Sequence, residues 1–361
     1  MSQPDVVATV AQAAELSRPP LLVLEPLERF LDARGIGSGP ITPRPIGDGH
    51  SNVTYALERG GVRVVLRRPP RPPLPPSAHD VVREARIQIA LAGRVRVPRV
   101  LAVCEETNVL GVPFYVMEHV DAHVVGPSLP PQVDISSAQR ACFGRELVDA
   151  LAELHDVSLA AAGLEDIGRP DGYLARQIRR FAALWEQHRT RELPEIDQLT
   201  SWLGARVPSA GDATIVHGDY RLGNVMFTSG SAGSKGGPRL AAILDWEMAT
   251  LGDPLADVGY LIATWAEPGD EETPMLALSA ATRMPGFSTR AELRERYAQR
   301  TGRSVNALGW YETLALWKAA IFLECSYARY QAGTTDDPYF ASLGTGVPAL
   351  AQSALQRMSR C

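Results

Sequence analysis

The residues most able to do chemistry lie in two short segments of the second half of the chain. Residues 215–224 read IVHGDYRLGN and place Asp219 and Asn224 five residues apart, and ILDWE then places Asp245 twenty-one residues after Asn224. A carboxylate can orient and deprotonate a hydroxyl group, and carboxylate and amide oxygens are ligands that Mg²⁺ accepts. Singly, such motifs are weak evidence, because Asp and Asn at this spacing also form turns and helix caps. Their combination and order carry the information.

The elements that must position these segments follow from the hydrophobic pattern. Residues 5–34 have apolar positions at helical spacing, and the pattern then changes to alternating strands with one helix. We expect strands at 53–57, 62–67, 100–103 and 114–117 and a helix at 78–91. Beyond them we expect helices at 137–160, 173–190, 195–205, 290–300, 311–331 and 347–359, with β-like segments at 215–227 and 240–245. This order predicts an α+β protein with a small β-rich lobe followed by a larger, mainly helical lobe.

The composition argues against several other classes of protein. The 361 residues are 45% hydrophobic and 21% charged with a net charge of −5, which gives no support to general nucleic-acid binding. No apolar run is long enough to span a membrane, and the N-terminus lacks the charged start and apolar stretch of a signal peptide. The four cysteines lie far apart without a CxxC pair, as in proteins with reduced thiols. We therefore expect a cytoplasmic protein without a nucleic-acid or membrane partner.

Lysine is almost absent from the chain. Of the 36 basic residues only Lys235 and Lys318 are lysines, and they are followed by Gly236 and Ala319. A GK[ST] phosphate loop therefore cannot exist, and no histidine begins an HExxH zinc motif. These two features argue against P-loop nucleotide enzymes and HExxH metalloenzymes.

In this architecture the two segments resemble the catalytic loop and metal-binding turn of the protein-kinase-like superfamily. The form HGDxxxxN followed by [IL]-D-[WF]-E is that of the aminoglycoside phosphotransferase and choline kinase branch. The resemblance implies a two-lobed kinase-like fold, with an N-terminal helical extension over 1–35, an N-lobe over 36–118 and a C-lobe over 119–361. It also implies a phosphotransferase that moves the γ-phosphoryl group of ATP (or GTP), with Mg²⁺, to a hydroxyl group of a small molecule.

By the same resemblance, Asp219 is the catalytic base, and Asn224 and Asp245 are ligands of the metal. We expect His217 to brace the loop rather than to carry a proton. Within the segment DPLAD, Asp253 and Asp257 are expected to anchor the turn through backbone hydrogen bonds and helix capping.

The superfamily's nucleotide-phosphate loop corresponds to GDGHSN at residues 47–52, between two predicted strands. It resembles the phosphotransferase form G-x-x-N, whose backbone N–H groups can cradle phosphate. The nucleotide-binding residues expected here are Gly47, Gly49, Ser51 and Asn52. Without its neighbours, the segment would equally be an ordinary glycine turn.

The strand that follows departs from the pattern, because it contains no lysine. VVLR fits the strand with Arg67 at the lysine position, and Glu84 fits the partner glutamate on the next helix. Alternation along the strand places Val65 and Arg67 on one face, which favours Arg67 over Arg68. This resembles the subgroup associated with acyl-CoA dehydrogenases, which writes the strand as VLR. Arginine keeps the positive charge, but its geometry differs from that of lysine.

FYVMEHV resembles the hinge that joins the lobes, with Met117, Glu118 and Val120 at the adenine edge; a buried strand end is the alternative. His155, on the helix that precedes the catalytic loop, is expected to be a satisfied core histidine. Aromatic residues at helical spacing, namely Trp310, Trp317 and Phe322, are expected to be core.

The acceptor is left open by the sequence. Residues 61–100 carry a net charge of +7 and residues 101–361 one of −10. The acidic part suits an aminoglycoside-like molecule or an amino alcohol, whereas the basic part suits an anionic hydroxyacyl-CoA. Uneven solvated surface is the alternative explanation. Conceivable pocket residues are Trp265, Glu267, Asp270, Glu271, Glu272, Trp310, Trp317, Glu324 and Tyr327.

Two other functions compete with a small-molecule kinase. A nucleotide-binding pseudokinase would explain the missing lysine, but it has no need of Asp219, Asn224 and Asp245 together. A protein kinase is disfavoured, because the chain runs from Asp245 directly to Asp253 and leaves little room for an activation loop.

Overall fold

The structure, a computed structural model, describes residues 4–47, 52–71, 79–133, 135–209, 211–229, 237–334 and 338–361. The chain divides into two compact units. The first comprises residues 1–93, 97–121 and 245–247, and the second comprises 94–96, 122–244 and 248–361. The turn that carries Asp245 therefore belongs to the first unit, although most of the chain around it belongs to the second.

The first unit begins with a segment of short elements. These are β1 (Val6–Val7), α1 (Val10–Ala14), β2 (Leu22–Val23) and α2 (Leu24–Asp32). The segment is helical only in part, since β1 and β2 pair as parallel strands. The break between α1 and β2 contains Pro19 and Pro20, which lack the N–H group that a continuous helix needs.

A five-stranded antiparallel sheet follows, in the order β3-β4-β5-β7-β6. Its strands are β3 (Thr42–Ile46), β4 (Val53–Arg59), β5 (Val62–Arg68), β6 (Val100–Cys104) and β7 (Phe114–Glu118), and α3 (Val81–Leu91) lies between β5 and β6 in the chain. The Asp80 side chain caps α3 by accepting a hydrogen bond from the Arg83 N–H at 2.9 Å.

The two faces of β5 serve different partners, because side chains alternate along a strand. Val64 and Leu66 face a core that also contains Leu27 and Leu31 of α2. Val65 packs in a second cluster with residues of α3 and β7. The N-terminal segment therefore contributes directly to the core of the sheet, and this second face of β5 meets α3.

The second unit is mainly helical, with two small sheets of orders β11-β10-β8 and β12-β9. The strands are β8 (His123–Val124), β9 (Thr214–Val216), β10 (Val225–Phe227), β11 (Leu240–Ile243) and β12 (Thr250–Gly252). The helices are α4 (Ser137–His155), α5 (Leu159–Ala162), α6 (Tyr173–His188), α7 (Pro194–Ala205), α8 (Leu255–Thr264), α9 (Pro274–Ala277), α10 (Arg290–Thr301), α11 (Leu308–Gln331) and α12 (Pro338–Met358).

Helix α11 packs against α6, α7, α8 and α12. Its Trp317 is fully buried, and it also buries the carboxylates of Glu312 and Glu324. Each of these carboxylates is paired with arginine: Glu312 with Arg294 and Arg357, and Glu324 with Arg191. Among the residues that the structure describes, no helix is long and apolar enough to cross a membrane. The predicted α+β class, with a β-rich part followed by a mainly helical part, is confirmed.

Candidate active site

The segment IVHGDYRLGN forms a tight loop in the second unit. It leaves β9 at Val216, passes through a 3-10 turn at Leu222–Asn224 and enters β10. Gly218 has a φ of +86°, and a Cβ atom there would lie 2.8 Å from the Met248 carbonyl oxygen. Only glycine adopts this conformation without strain, and only glycine leaves room for that carbonyl.

Asp257 anchors this loop from the first turn of α8. Its two carboxylate oxygens accept hydrogen bonds from the N–H groups of His217 at 2.7 Å and Gly218 at 2.8 Å. The buried His155 lies 3.3 Å from the same carboxylate and 2.8 Å from the Tyr297 hydroxyl. The expectation that Asp257 acts through backbone hydrogen bonds is confirmed, and so is that of a satisfied core His155.

The His217 side chain has a fixed structural partner. Its Nε2 atom lies 2.8 Å from the Leu244 carbonyl oxygen, which can only accept a hydrogen bond, so Nε2 must carry the proton. Nδ1 then accepts a hydrogen bond from the Asp219 N–H at 3.3 Å. His217 therefore braces the loop, as the sequence predicted.

The two oxygens of Asp219 have different surroundings. Oδ2 accepts a hydrogen bond from Asn224 Nδ2 at 2.6 Å, and the same amide nitrogen donates to the Asp219 carbonyl oxygen at 2.8 Å. Oδ1 is 3.5 Å from Arg221 Nε, and among the described residues no donor reaches it in hydrogen-bond geometry. Asn224 thus holds one oxygen of the carboxylate, and the other lies at ion-pair distance from Arg221 without a donor in hydrogen-bond geometry.

Tyr260 is a neighbour of Asp219 that the sequence analysis missed. Burial raises the pKa of Tyr260 well above its ordinary value, and the negative charge of Asp219 raises it further. The phenol therefore stays protonated beside the carboxylate. Tyr260 follows Asp257 by three residues on α8, and no sequence signal singled it out.

The first unit holds a second cluster of charged groups, centred on Arg67 of β5. Arg67 Nε lies 2.9 Å from Glu84 Oε1, and Arg67 Nη2 lies 2.5 Å from Asp245 Oδ1. Glu84 on α3 is almost fully buried, whereas 29% of the Asp245 side chain is exposed. One guanidinium therefore bridges two carboxylates, which its planar set of donors allows.

The charges in this cluster shift each other's pKa values. Burial raises the pKa of Glu84 to about 7, although the positive charge of Arg67 acts in the opposite direction. Burial alone would lower the pKa of Arg67, but Glu84 and Asp245 together raise it. The arginine is therefore always charged, whereas its buried glutamate partner titrates near neutral pH.

Asn52 and the residues after Asp245 complete the cluster. Asn52 Nδ2 lies 3.3 Å from both Glu84 Oε2 and Glu247 Oε2, and the Trp246 N–H donates to Glu84 Oε1 at 3.3 Å. Asp245 itself has a φ of +65°, which is unusual for a residue other than glycine and is typical of strained functional turns. Glu247 was missed as a site residue, although it belongs to the ILDWE motif.

Arg68, the neighbour that could have replaced Arg67, lies on the other face of β5. It is almost fully buried and donates to the carbonyl oxygens of Leu21 and Pro69. Burial lowers the pKa of Arg68 to about 10. Arg68 therefore ties the N-terminal segment to the sheet, and Arg67 is the arginine that contacts Glu84.

The model of the phosphotransferase enzyme family, which includes the aminoglycoside phosphotransferases, matches residues 42–311 of this sequence. The chain belongs to this family. Membership makes it a phosphotransferase, and a hydroxyl group is the acceptor.

Similar proteins fall into two groups. Acyl-CoA dehydrogenase family member 11 of Rattus norvegicus is 32% identical over 344 residues, which cover 92% of this chain and 43% of that protein. The chain thus spans less than half the length of this relative. A protein of Ralstonia eutropha JMP134 described as a candidate aminoglycoside phosphotransferase has 31% identity and a TM-score of 0.76, with 93% of this chain and 98% of that chain covered.

A more distant structure is similar in fold. It is a thermostable mutant of aminoglycoside phosphotransferase APH(4)-Ia in a ternary complex with AMP-PNP and hygromycin B. The identity is 14%, the TM-score is 0.58, and 92% of this chain and 98% of that chain are covered. The phosphotransferase fold is thus shared well beyond the range of close sequence similarity.

The remaining nucleotide-binding predictions for this phosphotransferase fall at the ends of strands. Gly47 follows β3 with a φ of +84°, while Gly49 and Ser51 lie outside the described residues. Met117 packs beside Val65 near the end of β7. These assignments stay predictions.

The predicted hinge has part of its backbone already engaged. The Glu118 N–H donates to the Arg99 carbonyl oxygen at 2.9 Å, and the Glu118 side chain accepts from the Arg99 N–H at 3.0 Å. Val120 lies two residues beyond the end of β7. The predicted adenine contact therefore rests on the backbone that follows Glu118, and it stays a prediction.

The tryptophans considered for the acceptor pocket belong to the core of the second unit. All three are buried and donate an indole N–H within the unit: Trp265 to Ser288, Trp310 to Leu203 and Trp317 to Thr200. The prediction that Trp310 and Trp317, at helical spacing, belong to the core is thus confirmed. Phe322 differs, since 59% of it is exposed.

Proposed function

We propose that the chain is an ATP- and Mg²⁺-dependent kinase that transfers the γ-phosphoryl group to a hydroxyl group of a small molecule. The observation that carries the proposal is the state of Asp219. One oxygen of this carboxylate is held by Asn224, and the other accepts no hydrogen bond among the described residues. A hydroxyl group of the acceptor would supply the missing donor.

In this proposal Asp219 orients the acceptor hydroxyl and takes its proton as the bond to phosphorus forms. Asp257 holds the backbone on which Asp219 stands, and Asn224 fixes the rotation of its carboxylate. Such fixed geometry matters because phosphoryl transfer is catalysed mainly by positioning and charge stabilisation.

The oxygen atoms of Asn224 and Asp245 suit Mg²⁺, which prefers hard oxygen ligands. Because Asn224 Nδ2 serves Asp219, the amide oxygen is the atom of Asn224 that we assign to the metal. Arg67 contacts Asp245 at Oδ1, so we assign Oδ2 to the metal. When bound, Mg²⁺ would offset negative charge on the phosphates. Arg67, positioned by Glu84, would add a second positive charge toward the nucleotide.

The acidic composition of the C-terminal part supports a cationic acceptor only weakly, because several of its carboxylates form ion pairs with arginines. Glu267 and Asp270 are paired with Arg290, at 3.4 and 2.5 Å, and Glu324 is paired with Arg191 at 2.7 Å. A carboxylate that already has an arginine partner is a poor site for an amine. The amine acceptor thus loses the main observation that favoured it.

We therefore favour a hydroxyacyl-CoA as the acceptor over an aminoglycoside-like molecule or an amino alcohol. The family name of the rat relative, acyl-CoA dehydrogenase, supports a substrate attached to CoA. The combination of Asp219, Asn224 and Asp245 argues against a pseudokinase, which has no need of all three residues.

The test is phosphoryl transfer from γ-labelled ATP with Mg²⁺ into separate hydroxyacyl-CoA, aminoglycoside and amino-alcohol pools, with GTP as the alternative donor. Asp219→Asn should lower kcat by about 10²- to 10⁴-fold and leave Mg·ATP binding unchanged, because it removes only the proton acceptor. Asp212→Asn, which alters an exposed aspartate on the approach to β9, is the matched control and should act as wild type.

Three results would contradict the proposal. Full turnover by Asp219→Asn would remove Asp219 from its role as base. Binding of Mg·ATP without label in any pool would favour the pseudokinase. Label in the aminoglycoside pool alone would leave the kinase standing and overturn the preferred acceptor.

A further inference from the structure

Lys318, one of the two lysines of the chain, has unusual surroundings in the middle of α11. It is half-buried, and its Nζ atom lies 4.7 Å from the centroid of the Phe181 ring on α6. Within the part of the chain that the structure describes, it has no ion-pair or hydrogen-bond partner. A cation over an aromatic ring is attracted to it, but the ring does not replace the lost hydration.

The charges around Lys318 connect it to the catalytic loop within the second unit. Burial and, to a smaller extent, the positive charge of Arg180 on α6 lower the pKa of Lys318 to about 8. The carboxylates of Asp257 and Asp219 act in the opposite direction. Lys318 is thus a partly desolvated cation within electrostatic reach of the proposed base.

Lys318 stands at one end of a surface that we call the α6–α11 groove. On α11 it is followed at helical spacing by the exposed Phe322 and by Arg329, which lies about 16 Å further along the helix at 1.5 Å per residue. On α6 the exposed Arg180 and the half-buried His188 are eight residues apart, which places them on one side of the helix. A cavity of about 360 Å³ lies at the far end of the groove, lined by His188, Cys325, Ala328, Arg329, Ala332 and Thr334.

The charged side chains that we assign to the groove, Lys318, Arg180 and Arg329, are cations. Two carboxylates of the described residues near it are engaged by arginines: Glu186 pairs with Arg189, and Glu324 pairs with Arg191. Asp336 and Asp337, which follow Thr334 in the chain, lie outside the described residues. The groove therefore combines cations at both ends with an exposed aromatic ring between them. Such a surface fits an elongated ligand with negative groups and an apolar stretch.

We propose that the α6–α11 groove binds the phosphate-bearing part of the acceptor and that Lys318 is its specificity-determining residue. This inference rests on the proposed function, because it assigns the groove to the acceptor of the same reaction. A charged hydrogen bond from Lys318 to a phosphate would restore the partner that the ammonium group lacks. Phe322 would cover the apolar portion of the same ligand.

The test measures binding without nucleotide, so that it does not depend on turnover. The probes are 3-hydroxybutyryl-CoA and the 3-hydroxybutyryl thioester of N-acetylcysteamine, which has the same hydroxyacyl group but no phosphate. Calorimetric titration of the full chain should show that Lys318→Met weakens binding of the CoA thioester about tenfold or more. Lys318→Arg should retain most of the affinity.

Two further variants control for indirect effects. Arg179→Gln removes an exposed arginine one residue away from Arg180 and should leave binding unchanged. If Lys318→Met does not fold, Phe322→Asp places a carboxylate in the groove at an exposed position and should weaken the CoA thioester in the same way. Neither change should affect the binding of Mg·ATP.

The inference is overturned if both thioesters bind wild type equally, or if Lys318→Met and Phe322→Asp bind the CoA thioester as wild type does. Failure of the kinase is a separate result. A protein that binds the CoA thioester through Lys318 but transfers no phosphoryl group would refute the proposed function and retain the groove. If instead the phosphate-free thioester is phosphorylated and Lys318→Met binds the CoA thioester as wild type does, the proposed function stands and the groove is refuted.

Discussion

The cluster around Arg67 offers a sharp test, because one arginine neutralises a glutamate that is 1% exposed. Arg67→Met removes the charge and keeps an apolar stem of similar length. Glu84 is then left buried without its cation, and removing one partner of a buried ion pair costs about 3–5 kcal/mol. We expect a loss of that size in the free energy of unfolding at pH 8, where Glu84 is ionised.

The size of the loss should depend on pH, and the sign follows from Glu84. Its pKa is raised from 4.5 to about 7 by burial. The carboxyl group therefore contributes stability below about pH 4.5 and loses this contribution as the pH rises through about 7, a change of about 3 kcal/mol. Without Arg67 its pKa rises further. At pH 5 the glutamate of Arg67→Met is neutral, and the loss relative to wild type should be clearly smaller than at pH 8.

Urea unfolding of wild type, Arg67→Met and Arg67→Met/Glu84→Gln at pH 5 and pH 8 measures these differences. The second substitution should recover most of the stability at pH 8, because glutamine removes the buried charge and leaves only that of the partly exposed Asp245. Arg63→Met, at an exposed position on the same strand, is the matched control and should change stability by less than about 1 kcal/mol. Equal losses for Arg67→Met at both pH values, or no recovery in the double variant, would refute the assignment of a buried ion pair.

Two further predictions concern the catalytic loop. Gly218→Ala should lose about 1–3 kcal/mol of stability and most of its phosphoryl-transfer rate, because the methyl group meets the Met248 carbonyl at 2.8 Å and the φ is +86°. Thermal unfolding measures the loss of stability, and kcat measures the loss of rate. The control is Gly204→Ala at an exposed position of α7, where a methyl group meets no neighbouring atom. Equal stability of the two variants would contradict the prediction. Asp257→Ala should cost about 2–5 kcal/mol and lower kcat more than KM, because the N–H groups of His217 and Gly218 lose their acceptor. Asp257→Asn, which keeps one acceptor oxygen, should lose less stability and less activity than Asp257→Ala. If kcat is unchanged in both variants, Asp257 does not hold the loop.

Local spacing made much of the site predictable. Asp219 and Asn224 are five residues apart, so a single turn brings the amide to the carboxylate, and the sequence alone selects both. The choice of Arg67 over Arg68 likewise needed only strand alternation, and the structure places Arg67 beside Glu84. The roles of these residues toward nucleotide and metal stay predictions.

Element boundaries were harder to predict than the elements themselves, as the final helix shows. The final helix is predicted over 347–359, so that it begins next to Pro348. Instead α12 begins at Pro338 and includes Pro348 in its interior. Packing against α11 stabilises the longer helix despite the missing N–H group.

By itself the sequence determined the fold class, the family and the loop that carries Asp219, because these depend on residue types at short spacing. Only the tertiary structure decided which charged side chains are paired with an opposite charge and which are available to a ligand. Arg191 and Glu324 are 133 residues apart, and Arg290 of α10 meets Asp270, which lies between α8 and α9. The composition therefore counted these carboxylates as an acidic surface. Folding pairs them with arginine and leaves Lys318 without a carboxylate partner among the described residues. The physical reason is that an ionic contact depends on distance in space, on which sequence separation gives no information.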